Sequence, residues 1–94
     1  MQISYDPAKR EQTLLLRGID MADAGDVLAG ACLTIADDRF DYGEPRFITV
    51  GFLRNRMVLV AWTPRNDTFR IISMRKANAR EIARYRPAFG TADG

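Results

Sequence analysis

Ninety-four residues with an apolar share of 47% suit one small globular domain and exclude a disordered chain. No histidine is present, which removes the commonest general acid/base and the commonest metal ligand, and the single cysteine, Cys32, cannot close an internal disulfide. The net charge of +2 conceals a segregation: residues 1–47 hold 5 basic and 9 acidic side chains, residues 48–94 hold 9 and 3, and Arg outnumbers Lys 12 to 2. Such a basic second half predicts an electropositive face, and arginine suits bidentate contacts with phosphate.

Gln2 to Tyr5 alternates and reads as a short strand. Asp6-Pro7 then starts a helix as N-cap and first-turn proline, and Gly18 stops it. Leu14, Leu15 and Ile19 are expected to pack inward. A second helix begins at Asp20, carries Met21, Ala24, Val27 and Leu28 at helical spacing, and ends at Gly30. Ala31 to Ala36 reads as a strand, with Cys32 expected as a buried structural residue. Asp37 to Pro45 is a polar loop. Its Asp37, Asp38, Asp41 and Glu44 lack the spacing of a calcium loop and read as solvated.

Arg46–Arg54, Arg56–Thr63 and Thr68–Arg75 follow as three strands, linked by turns at Asn55-Arg56 and Pro64–Asp67. Connections this short force an antiparallel meander. Met57–Trp62 does not alternate, so the middle strand is expected to be buried on both faces. The amino-terminal helices can cover one face. The other needs the last helix, capped by Asn78 and ended near Pro87, or a partner protein. The domain is expected to span residues 1–88, with 89–94 as a frayed tail. Met1–Tyr5 has no signal-peptide pattern and no apolar run approaches a membrane span, so a cytoplasmic location is expected.

No Walker loop, dinucleotide glycine pattern, zinc spacing or Ser-His-Asp set is present. The chemistry-bearing residues are cationic. Arg70 and Arg75 lie five residues apart, so a regular strand points them to opposite faces, and only a bulge or the strand end brings both to one site. Arg46 on the neighbouring strand can join either, and Ser73 can donate a hydrogen bond to phosphate. Arg80 and Arg84 form a row on the last helix that either grips RNA or is a solvated face. Trp62 and Phe69 read as core. RNA cleavage needs no metal, because the 2′-hydroxyl is an internal nucleophile and clustered cations stabilise the charge of the phosphorane. A carboxylate such as Glu44 can move protons.

Tyr5-Asp6-Pro7-x-Lys9, Leu16-Arg17-Gly18-Ile19 with Ala24, Glu44-x-Arg46 with Gly51, and Arg70-Ile71-Ile72-Ser73-x-Arg75-x-Ala77 with Glu81 and Tyr85 together resemble the BrnT family, toxins of type II toxin–antitoxin pairs. The resemblance covers residues 3 to 85. It implies an α+β, RelE-like fold: an antiparallel sheet, made of the three-strand meander plus one or two further strands, with two amino-terminal helices and a carboxy-terminal one. It implies a ribonuclease that arrests growth without a cofactor or metal. It also implies a BrnA-like DNA-binding antitoxin whose complex with the toxin sits on their promoter DNA. Carried over by motif, Arg17, Glu44, Arg70 and Arg75 are the catalytic candidates, and Lys9, Arg46, Ser73 and Tyr85 the RNA-binding ones. The family usually has Lys-His-Gly where this chain has Leu16-Arg17-Gly18, so a guanidinium stands in place of an imidazole. That departure keeps a second reading open, a non-catalytic antitoxin-binding corepressor. Composition alone also allows a plain nucleic-acid-binding domain.

Overall fold

Local sequence signals set the helix ends. The computed structural model describes residues 1–90. After the two-residue strand β1 (Ile3–Ser4), the Asp6 side chain accepts a hydrogen bond from the Ala8 N–H at 2.9 Å and starts α1 (Pro7–Arg17). Gly18 closes α1 in the left-handed region, at φ 71°, where a side chain would be strained. Asp20 accepts from the Ala22 N–H at 2.9 Å and opens a 3-10 turn that runs into α2 (Ala24–Ala29). A full capping box starts α3 (Ala79–Tyr85): Asn78 accepts from the Glu81 N–H and Glu81 accepts from the Asn78 N–H.

The remaining strands are β2 (Leu33–Ala36), β3 (Phe47–Leu53), β4 (Arg56–Arg65) and β5 (Thr68–Lys76). Their order in one five-stranded sheet is β1-β5-β4-β3-β2. The meander β3-β4-β5 forms as its short connections require, and β2 extends it antiparallel. β1 pairs parallel with β5, Ile3 opposite Phe69, so the sheet is mixed where an antiparallel one was expected. No hairpin links β1 to β5, so nothing local dictates their relative direction. Both meander turns are two-residue turns with positive φ at both positions, Arg54-Asn55 and Asn66-Asp67. Arg56 is therefore paired with Leu53 inside the hairpin and is not itself a turn residue, and Pro64 and Arg65 extend β4.

β4 is buried on both sides, which accounts for its unbroken apolar run. Val58 and Val60 meet Met21, Ala24 and Val27 of the amino-terminal helical segment, with Ile71 and Met74 of β5. Met57 and Leu59 face the other way and pack with Val50 and Ala77, under Ile82, Tyr85 and Phe89. The carboxy-terminal helix thus shelters part of the second face. Residues 86–89 continue past Tyr85 as a 3-10 turn, and the Phe89 ring meets Phe52 edge-on at 4.9 Å. Phe89 thus packs on the sheet, although the tail was expected to begin there; the rest of that tail, residues 91–94, lies outside the described residues.

Two packing expectations fail. Leu14 and Leu15 do not pack inward: they are 45% and 83% exposed, Leu16 is 72% exposed, and α1 buries no residue fully. The reason is that α1 lies beside the outer edge of β5, where Arg17 Nη1 donates to the Met74 carbonyl at 2.9 Å. It fills the edge that the short β1 leaves open instead of lying across the sheet. Cys32 is exposed, because it precedes the edge strand β2 on the outer rim of the sheet.

Candidate functional site

A bulge in β5 builds the site. Ala61 pairs with Ser73 and Trp62 with Ile71, so Ile72 is an extra residue with no partner on β4. Beyond it, Thr63 faces Arg70, and before it, Leu59 faces Arg75. Thr63 and Leu59 lie four residues apart on one strand and point the same way. Arg70, Ser73 and Arg75 therefore share one face of the sheet, the face whose other half lies under α3. A regular strand would have sent Arg70 to the opposite side. Trp62 and Phe69 occupy that opposite side, their rings 4.5 Å apart, and Trp62 Nε1 donates to Thr49 Oγ1 at 2.9 Å. They pack against the core and remain partly exposed.

The loop before β3 folds back to bring further charges to this face. The Asp37 N–H donates to the Arg46 carbonyl at 2.8 Å, Tyr42 Oη donates to Asp37 Oδ2 at 3.2 Å, and Thr63 Oγ1 donates to the Pro45 carbonyl. The Arg46 guanidinium lies over the Tyr42 ring at 4.0 Å. Glu44 sits between two cations: Arg65 Nη2 donates to Oε1 at 3.1 Å, and Arg46 Nε is 3.6 Å from Oε2. That last distance is too long for a hydrogen bond, and Arg46 Nε is buried with no hydrogen-bond partner among the described residues. It faces the Glu44 carboxylate as an ion pair without a hydrogen bond.

α1 supplies the facing wall. Lys9 and Asp6 meet Glu44, Arg46 and Arg70 around one concavity of about 200 Å³. Lys9, Thr13 and Arg17 meet Ile72 and Ser73 around a second, of about 240 Å³. Both include Lys9 and Ile72, so they form one continuous groove between the helix and the bulge. Of the residues singled out in the sequence, Lys9, Arg17, Glu44, Arg46, Arg70 and Ser73 line it, and Arg75 stands on the same sheet face beyond Ser73. A groove in which cations outnumber two carboxylates, Asp6 and Glu44, suits a polyanionic chain and the transfer of a proton beside it.

A family model described as ribonuclease toxin, BrnT, of type II toxin–antitoxin system matches residues 5–81. The chain belongs to the BrnT family. No curated protein matches it. The match spans every groove residue, from Lys9 to Ser73, and Arg75 beyond them.

Tyr85, the remaining residue singled out in the sequence, packs with the second core cluster and does not line the groove. Arg84 lies 5.5 Å from its ring centroid. Sequence reasoning placed no role on Glu81, whose carboxylate takes both terminal nitrogens of Arg75 at 2.7 Å. It also missed Arg39, whose guanidinium is clamped by Asp37 at 2.8 and 3.0 Å. Glu81 stood in the motif, but its six-residue separation from Arg75 spans a strand end and a helix cap and matches no periodic pattern. Nothing in the sequence pointed to Arg39.

These pairs shift the carboxyl groups. Hydrogen bonds from Arg75 hold Glu81 down to about 2, and Arg10 and Arg39 do the same to Asp20 and Asp37, also to about 2. Arg75 is raised, first by its hydrogen bonds to Glu81. A depressed carboxyl contributes stability that is complete above its unfolded value of roughly 4 and is lost as pH falls through the folded value near 2. Urea unfolding is therefore expected to show stability that holds down to about pH 4 and declines below it. Glu81→Gln is expected to lower stability at neutral pH and make the acid decline shallower. An acid profile identical to that of the parent would show that the pair contributes nothing.

Among the described residues no helix is long and apolar enough to cross a membrane.

Proposed function

We propose that the protein is a metal-independent endoribonuclease with a RelE-like fold, acting on cellular RNA in the cytoplasm and silenced by a cognate BrnA-like antitoxin, with which it sits on promoter DNA. The observation that carries this reading is the bulge at Ile72, which gathers Arg70, Ser73 and Arg75 on the face that Arg46 and Glu44 also reach. Membership of a ribonuclease toxin family supports the same chemistry.

In this reading Lys9, Arg46 and Ser73 hold the RNA backbone across the groove. The 2′-hydroxyl attacks the adjacent phosphorus, the P–O5′ bond breaks, and the leaving 5′-oxygen takes a proton from water. Arg70 stabilises the charge that gathers on the phosphorane oxygens, and Arg75, held by Glu81, positions the RNA beside it. Glu44 accepts the 2′-hydroxyl proton, held in place between Arg46 and Arg65. Tyr85 supports the Arg75 side of the sheet from within the core.

Induction of the protein without its antitoxin is expected to arrest growth and degrade RNA, read as colony counts and RNA integrity. One observation favours the non-catalytic corepressor instead: Arg17 Nη1 is tied to the Met74 carbonyl, and a guanidinium carries protons poorly near neutral pH. Normal growth with folded protein present would support that reading. Arg17→His would then be expected to create cleavage with a pH dependence near the imidazole value of roughly 6.5.

A further inference from the structure

Beyond the groove, the same sheet face holds a smaller concavity of about 140 Å³ that α3 leaves uncovered. Its floor is aliphatic, made by Ile48, Leu59 and Ala61, and its rim is Arg39, Arg75 and Ser73. Ser73 also lines the groove against α1, so the two spaces adjoin. We infer that this concavity is a nucleobase subsite that accepts keto bases, guanine and uracil, in preference to the amino bases adenine and cytosine. The inference rests on the RNA reading above and names which part of the RNA enters where.

Charge separates the two spaces. Asp37 holds Arg39 in two hydrogen bonds and Glu81 holds Arg75 in two, so a phosphate placed here would meet two carboxylates as well. In the groove five cations, Lys9, Arg17, Arg46, Arg65 and Arg70, outnumber the two carboxylates, Asp6 and Glu44. The backbone therefore belongs in the groove, and an uncharged ring belongs over the aliphatic floor, beside guanidinium planes that stack well on bases.

The rim also sets selectivity. A guanidinium donates hydrogen bonds and accepts none. Arg39 uses Nε and Nη2 on Asp37, and Arg75 uses Nη1 and Nη2 on Glu81, leaving Arg39 Nη1 and Arg75 Nε without a partner among the described residues. Guanine presents O6 and N7 as acceptors and uracil presents O4, whereas adenine and cytosine place an amino group at the equivalent position. The Ser73 hydroxyl donates or accepts and so does not discriminate, but an amino donor facing the two guanidinium donors leaves both unsatisfied.

The test measures fluorescence anisotropy with 2′-O-methyl hexamers of uridine and cytidine, which match in size and charge and lack the cleaving hydroxyl. The parent chain is expected to bind the uridine hexamer about tenfold tighter. Ala61→Leu, which fills the floor, and Arg39→Met, on an exposed loop, are each expected to abolish that ratio and leave the salt dependence unchanged. Binding of both hexamers with equal affinity by the parent, or a ratio that survives both substitutions, would overturn the subsite while leaving the RNA reading intact. A salt slope that drops by roughly 0.7 in Arg39→Met would also overturn it, since Arg39 would then hold a phosphate. Absence of binding to either hexamer would overturn the subsite and the RNA reading together.

Discussion

Alanine at Arg70 is expected to slow RNA cleavage by roughly a hundredfold or more, the usual cost of removing one preorganised donor from a developing oxyanion. Arg75→Ala is expected to weaken binding and cleavage as well, because Arg75 positions the RNA beside that centre. Arg46→Ala is expected to weaken binding and to flatten its salt dependence by roughly 0.7 in slope, the share of one phosphate that no longer meets a cation. Arg54 lies in the β3-β4 turn and Arg56 opens β4 beside it, away from the groove, and Arg54 reaches only Asp23, at 3.5 Å. Alanine at either is expected to leave cleavage near the parent rate and stability within about 0.5 kcal/mol. The contrast is between geometry and mere charge, since all five positions carry the same side chain. Single-turnover cleavage of one RNA at several salt concentrations separates them. Equal losses at Arg54 and Arg75 would mean a diffuse basic surface with no site in it.

The part of this arrangement legible in the sequence is the part written locally. Asp6-Pro7, Gly18 and Asn78 mark helix ends because a cap is a contact between residues two or three positions apart. The meander follows from short connections, and the double burial of β4 from its unbroken apolar run. What failed depends on contacts distant in sequence. Leu14, Leu15 and Leu16 are consecutive, so no single helical face is defined, and only the position of α1 at the β5 edge decides that all three stay exposed. The parallel β1-β5 pair is a contact across more than sixty residues. The bulge carries no glycine or proline to announce it. Arg70-Ile71-Ile72-Ser73 reads as an ordinary strand, yet one unpaired Ile72 turns two arginines from opposite faces to the same one. The candidate residues could thus be gathered by motif, but the reason they meet was not in their spacing.

Gly51 carries the largest expected effect on stability. It lies in β3 on the face that receives α2, and a Cβ there would come within 2.7 Å of Val27 Cγ1 and 3.3 Å of the Cys32 Cβ. Val27 is fully buried between the helix and the sheet, so its methyl group has no free volume to move into. Gly51→Ala is therefore expected to cost about 1–3 kcal/mol, the usual range for overpacking, and to lower the melting temperature by roughly 4–8 °C per kcal/mol. Strand propensity works in the opposite direction, since alanine is the better strand residue, so a net loss would isolate the steric term. Val27→Ala removes the clashing methyl groups and is destabilising alone through the cavity it leaves. Combined with Gly51→Ala it should cost less than the two changes separately, because the new methyl occupies part of the vacated space. A single variant as stable as the parent, or a double variant that is strictly additive, would show that α2 can lift from β3 without penalty. The groove lies on the other face of the sheet. Cleavage per folded molecule is accordingly expected to survive in Gly51→Ala, so that loss of stability at this position and loss of chemistry at Arg70 are separable in the same assay.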